Sequence, residues 1–223
     1  MDKSENSILS EKVYRHVLEM ILRKEINCGE KIPEERITQL LGVSRTPIRE
    51  AMRRLSNDGI VNIFPKRFAE VVAFDEKSIK DLGIVRISLD ILAAKLAITY
   101  GSNADFMRLN NLADLYSEAA KNGDIYSRIK YDCDFHLALT EISGNPILLK
   151  LQKELYLRVH LLQATRFTVI EDSLKGIEGH YLIVEGLLKR NQDEVIMRIQ
   201  QHLAPFYGVD LSVEYAPNAF INY

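Results

Sequence analysis

The sequence predicts a mainly α protein in two parts: an N-terminal unit of three helices closed by a small β-hairpin, then a C-terminal all-α antiparallel helical bundle. Three observations predict it. Apolar residues recur at helical spacing along most of the 223 residues. The period changes to short β-like runs only once, after Gly59. Beyond Asp75, breakers such as Gly101, Asn122-Gly123, Gly144-Asn145-Pro146 and Asn191 separate long helical stretches with no strand pattern among them. The expected domains are residues 1–74 and 75–223.

A first helix is expected over about Ser10 to Lys24, from the spacing of Val13, Val17, Met20 and Ile21, with Gly29 ending the connection behind it. A second runs from about Pro33 to Leu41 and stops at Gly42. A third begins near Thr46-Pro47, carries Ile48, Ala51, Met52 and Leu55 inward, and ends at Asn57-Asp58-Gly59. Ile60–Ile63 and Glu70–Phe74 then read as two strands around a Pro65-Lys66-Arg67 turn. The bundle helices are expected near 76–99, 103–121, 124–142, 146–168, 175–189 and 192–207. The tail from Asp210 to Tyr223 carries no readable pattern.

Charge is unevenly distributed. The whole chain has a formal charge of −2, yet Lys31 to Arg67 holds eight cations against four anions, which confines any polyanion-binding surface to that segment. Cys28 and Cys133 are far apart and have no metal-site spacing, so neither a disulfide framework nor a cysteine zinc site is suggested. No apolar run is long enough for a membrane span, and the polar start lacks a signal-peptide pattern. A soluble, cytoplasmic protein with no membrane partner is expected.

In a helix-turn-helix the second helix enters the major groove and its first residues reach base edges. Ser44-Arg45-Thr46-Pro47-Ile48-Arg49-Glu50 supplies cations and small hydroxyls there, and Arg45, Arg49 and Arg53 share the face opposite Ile48, Met52 and Leu55. Guanidinium groups pair bidentately with guanine or phosphate. The run Gly42 to Leu55 with Asp58-Gly59-Ile60-Val61 resembles the N-terminal winged helix-turn-helix domain of bacterial GntR-family transcription regulators, over Pro33 to Val72. That resemblance implies DNA contacts by Arg36, Arg45 and Arg49, phosphate contacts by the Ser44 and Thr46 hydroxyls, and a wing tip in the minor groove. Phe68 and Ala69 stand where the family usually has a wing glycine, leaving Lys66 and Arg67 to contribute by charge.

In the bundle, Asp132 and His136 lie i, i+4 on the stripe Ile125, Ile129, Asp132, His136, Leu139. His180 falls on Ile177, His180, Val184, Leu187, and His202 on Val195, Ile199, His202, Phe206. Four inward ligand-type residues on three helices point to one divalent metal, zinc first, with nickel, manganese and iron also compatible. The bundle from Asp75 to Tyr207 resembles the FCD-type effector domain of the same family, in its smaller, VanR-like branch, and these four positions match those that hold a metal in many members.

Arg86 interrupts the apolar series Ile79, Leu82, Leu89, Ala93, Leu96 and must face an anion, either an internal carboxylate or a bound effector's. The resemblance favours a small organic or sugar acid as effector; Arg158 is a second candidate contact. The reading is a ligand-responsive regulator, a repressor, that binds an inverted-repeat operator as a homodimer. Two alternatives remain: a regulator for which the metal itself is the signal, and a metalloenzyme, against which stands the absence of any placed base or nucleophile.

Overall fold

The computed structural model describes residues 3–65, 67–166 and 176–214. The chain divides into two units. One comprises residues 1–74 together with His160–Thr165, the other Asp75–Val159 with the remainder of the chain. The last turn and a half of one long helix, Pro146–Arg166, is thus counted with the first unit.

The first unit holds α1 (Lys3–Leu22), α2 (Glu34–Leu41), α3 (Arg45–Asn57), β1 (Val61–Phe64) and β2 (Phe68–Val71). Val13, Val17 and Ile21 of α1 meet Ile37, Ile48, Ala51 and Leu55 in its core, all essentially solvent-free. The turn between α2 and α3 is set by Gly42, whose φ of 62° lies in the left-handed region and lets its N–H donate back to the Thr38 carbonyl. Pro47 sits in the first turn of α3, where no intrahelical donor is lost.

Two differences from the sequence reading have long-range causes. α1 starts at Lys3, earlier than Ser10, where the Asn6 amide donates to Glu50 Oε2 at 2.7 Å; further along, Arg54 Nη1 donates to Glu11 at 2.6 Å and Tyr14 donates to Asp58 at 2.7 Å. The second strand is Phe68–Val71, not Glu70–Phe74. The antiparallel register pairs Phe64 with Phe68 directly across the turn, their ring centroids 4.8 Å apart. Beyond it, the segment around Lys31 adds a third extended partner, with Ile32 N–H donating to Ala69 O and Val71 N–H to Glu30 O. Pairing between segments so distant in sequence leaves no local periodic trace.

The second unit contains α4 (Glu76–Tyr100), α5 (Asn103–Lys121), α6 (Ile125–Ile142), most of α7 (Pro146–Arg166), α8 (Ile177–Leu188), α9 (Gln192–Tyr207) and a short α10 (Leu211–Glu214) that the sequence did not signal. Side-chain caps fix four of the starts. Asp75, Ser102, Asp124 and Asn191 each accept from a backbone N–H three residues on, and Ser102 forms a reciprocal capping box with Asp105. α4 and α9 approach closely at Gly83, where a Cβ would overlap the side chain of Tyr207. That approach brings the Tyr207 hydroxyl to Arg86 in the bundle core.

Candidate metal centre and DNA-reading face

α6 projects Asp132 and His136 from one face, α8 projects His180 and α9 projects His202. One ligand atom from each of the four lies within 4.8 Å of the others. Asp132, His136 and His180 are buried; His202 is half-buried and forms the more open side. His180 is held between the rings of Tyr116 and Phe135, each with its centroid 4.5 Å away, and the His180 and His202 centroids are 4.4 Å apart. Gly179 permits that last contact, since a Cβ there would overlap the His202 imidazole. Gly179→Ala should therefore lower the unfolding midpoint of the chain. Helix propensity alone predicts a gain of about 1 kcal/mol for glycine to alanine in a helix interior, so the sign of the change in a thermal melt decides whether the close approach matters.

The donor set fits a metal. The Nε2 atoms of His136, His180 and His202 are all buried and without a hydrogen-bond partner among the described residues, an arrangement that costs stability unless another group satisfies them. His180 Nε2 is 3.2 Å from Asp132 Oδ1 and His136 Nε2 is 3.9 Å from the same oxygen, neither directed as a hydrogen bond. Ligands around an ion with bonds of about 2.0–2.2 Å lie roughly 3 to 4 Å apart, and these two spacings fall in that range. Burial pushes the His180 pKa down, and burial with the neighbouring His180 and His136 rings pushes His202 well down. Both are neutral near pH 7, with lone pairs available to a cation. Burial alone would raise the Asp132 carboxyl, but Arg86 and the imidazoles of His180 and His136 hold it well below the usual carboxylate range.

Arg86 is the brace of the centre. Its guanidinium is buried, donating from Nη2 to Asp132 Oδ2 at 3.1 Å, from Nη1 to the Tyr207 hydroxyl at 2.9 Å and from Nε to the Tyr156 hydroxyl at 3.2 Å. Of the two anions open to it from sequence, the internal carboxylate is in place. Arg158 is exposed on α7, and no described contact joins it to the cluster. Sequence reasoning missed Asp90. This fully buried carboxylate accepts from Gln152 at 2.7 Å and from Tyr156, and its Oδ2 lies 3.1 Å from His136 Nδ1. Burial works against its charge, but His136, Arg86 and Gln152 keep its pKa low. The available signal was its place four residues after Arg86, on the same face of one helix.

In the other unit, Arg36, Ser44, Arg45, Thr46, Arg49, Arg53 and Arg67 are exposed; Lys66 lies outside the described residues. Among the described residues Arg36, Arg45, Arg49 and Arg67 make no ion pair, whereas Arg54 on the same helix is tied to Glu11 at 2.6 Å. Ser44 stands at the N-cap of α3 but makes no capping bond, so its hydroxyl and the first amides of α3 remain open to an anion.

Residues 9–71 match the family model for bacterial regulatory proteins of the gntR family, and residues 81–205 match the FCD domain. The chain belongs to the GntR family of transcriptional regulators, in the branch that carries an FCD domain. It is a regulator and not an enzyme. Among relatives of this GntR-type chain, the Uxu operon regulator of Haemophilus influenzae is 30% identical over 193 residues, covering 78% of this chain and 71% of that protein. The transcriptional repressor NanR of Escherichia coli K12 is 28% identical over 219 residues, covering 87% and 81%. A putative GntR regulator from Rhodococcus sp. RHA1 superposes with a TM-score of 0.79 at 20% identity, over 89% of this chain and 95% of that one. E. coli McbR/YncC superposes at 0.75 and 21% identity, over 90% and 97%. At those identities the two structures establish the fold, mainly helical with a two-stranded wing. No helix among the described residues is long and apolar enough to cross a membrane.

Proposed function

We propose that this GntR-family regulator is a homodimeric, ligand-responsive repressor in which residues 1–74 read operator DNA and residues 75–223 hold a divalent metal and receive a small organic or sugar acid. Asp132, His136, His180 and His202 are its ligands. The observation that carries the reading is the convergence of three buried imidazole nitrogens, without hydrogen-bond partners among the described residues, on one charged carboxylate. Three imidazoles favour zinc, nickel, manganese or iron over calcium or magnesium. When bound, such an ion supplies an open coordination position to a carboxylate oxygen.

The chain's own residues provide the rest. Arg86 holds Asp132 in its charged form and places a guanidinium beside the centre, where it also favours an incoming anion. Arg45 and Arg49 take base edges or phosphates, Arg36 and the Ser44 and Thr46 hydroxyls fix the head on the backbone, and Arg67, with Lys66, serves the wing. An effector alters operator affinity only insofar as it prefers one arrangement of the two heads. The reading is tested by screening small carboxylates for a rise in unfolding temperature and for release of an operator fragment. A binding acid should do both with metal-loaded protein, and chelator treatment should abolish both. Equal release from metal-stripped protein would contradict it.

A further inference from the structure

Asp90 is wholly excluded from solvent on α4, and a buried carboxylate is costly unless its oxygens are engaged. Its two oxygens keep different company. Oδ1 accepts from Gln152 Nε2 at 2.7 Å, and the Tyr156 hydroxyl, one turn further along α7, lies 3.2 Å from Oδ1 and 3.1 Å from Oδ2. Oδ2 also faces His136 Nδ1 at 3.1 Å. Charge balance for Arg86 does not account for this placement. The guanidinium donates to Asp132, Tyr156 and Tyr207, and its Nε stands 3.7 Å from Asp90 Oδ2.

The chemistry of the Asp90 and His136 pair dictates where a hydrogen sits. An ionised carboxylate only accepts, so the hydrogen between them belongs to His136 Nδ1. With the hydrogen there, the lone pair of a neutral imidazole is on Nε2, the ring nitrogen that lies 3.9 Å from Asp132 Oδ1. Neither nitrogen of His136 has an aligned hydrogen-bond partner among the described residues. A small turn of the ring therefore puts the Nδ1 hydrogen on Asp90 and leaves Nε2 to a cation. A carboxylate behind a metal-ligating histidine fixes its tautomer and orientation and raises its basicity.

We infer that Asp90 is a positioning residue for the metal centre: it keeps the His136 hydrogen on Nδ1, while Gln152, by occupying Oδ1, keeps Oδ2 turned to the ring. The inference rests on the metal-centre reading above. It adds residues of α4 and α7 to a ligand set drawn from α6, α8 and α9.

Exchanging donor and acceptor tests it. In Asp90→Asn, Gln152 still presents its N–H, so the new amide keeps its oxygen toward Gln152 and turns its amino group to His136. Nδ1 must then accept, and the hydrogen moves to Nε2, where it blocks a cation. Zinc affinity, measured by competition with a chromophoric chelator, should fall about 10- to 100-fold. Adding Gln152→Glu reverses the donor. The carboxylate at that position draws the amino group to itself, the amide oxygen faces His136 again, and affinity should recover. Nitrogen NMR of isotope-labelled histidine in metal-free protein at about pH 8, above the ordinary histidine range, reads the tautomer directly. The His136 signals are identified by their loss in His136→Gln. They should report a hydrogen on Nδ1 in the parent and the double variant, and on Nε2 in Asp90→Asn. A hydrogen on Nε2 in the metal-free parent, or parental zinc affinity in Asp90→Asn, overturns the inference and leaves the four-ligand reading standing. So does a double variant that is as helical as the parent by circular dichroism yet recovers neither tautomer nor affinity. The parent's tautomer alone decides the case if a variant does not fold. A parent that takes up no zinc overturns both readings.

Discussion

Asp132→Ala is expected to destabilise the second unit by about 3–5 kcal/mol in urea unfolding of metal-free protein, among the largest effects of any single substitution here. The cost comes from the group left behind. Arg86 would retain Tyr207, Tyr156 and a more distant Asp90, whose Oδ2 is 3.7 Å from Nε, but would lose its 3.1 Å carboxylate partner in a solvent-free environment. Removing both charges should be milder than the sum of the single changes, because an apolar replacement of a buried pair avoids the uncompensated ion. Asp132→Ala with Arg86→Met should thus recover part of the loss. A double variant destabilised by the sum of the two single changes would show that Asp132 and Arg86 are not energetically coupled.

Arg45→Ala and Arg49→Ala are each expected to weaken operator binding by about 1–3 kcal/mol, roughly 5- to 150-fold, with unfolding temperature unchanged. Neither guanidinium makes an ion pair within the described chain, so its removal costs the fold nothing that would obscure the DNA effect. Salt dependence separates the two modes of contact. An arginine on a phosphate lowers the slope of log affinity against log salt by about one when removed, while an arginine on a guanine relaxes sequence preference and leaves the slope nearly unchanged. Wild-type operator affinity in both variants at physiological salt would refute the assignment of α3 as the reading helix.

These two sites were not equally legible in the sequence. The recognition helix and most of the bundle are local constructions. A left-handed Gly42, a capping Asp75 or Asn191 and a stripe of apolar residues each act within a few positions, so period and punctuation were enough to place α4 to α9. The gathering of Asp132, His136, His180 and His202 was legible for the same reason, since each lies on the apolar stripe of its own helix. What lay beyond reach depends on distant partners: the first turns of α1 on Glu50, the position of β2 on the Phe64 and Phe68 pair, and the third extended segment on the pairing of Lys31 with Glu70. The choice of Arg86 partner belongs in that class, being separated from Asp132 by 46 residues. So does Gly179, whose missing side chain matters only because His202 packs against it.

Whether Asp132, His136, His180 and His202 hold an ion is decided by elemental analysis of protein purified without a histidine tag. About one equivalent of a divalent transition metal per chain is expected, lost in His180→Ala with His202→Ala and regained when chelated wild-type protein is dialysed against zinc. A hydrogen-bonded polar cluster would leave no stoichiometric metal. Wild-type protein that is metal-free, cannot be reloaded and still releases its operator in response to a small carboxylate would rule out the metal site.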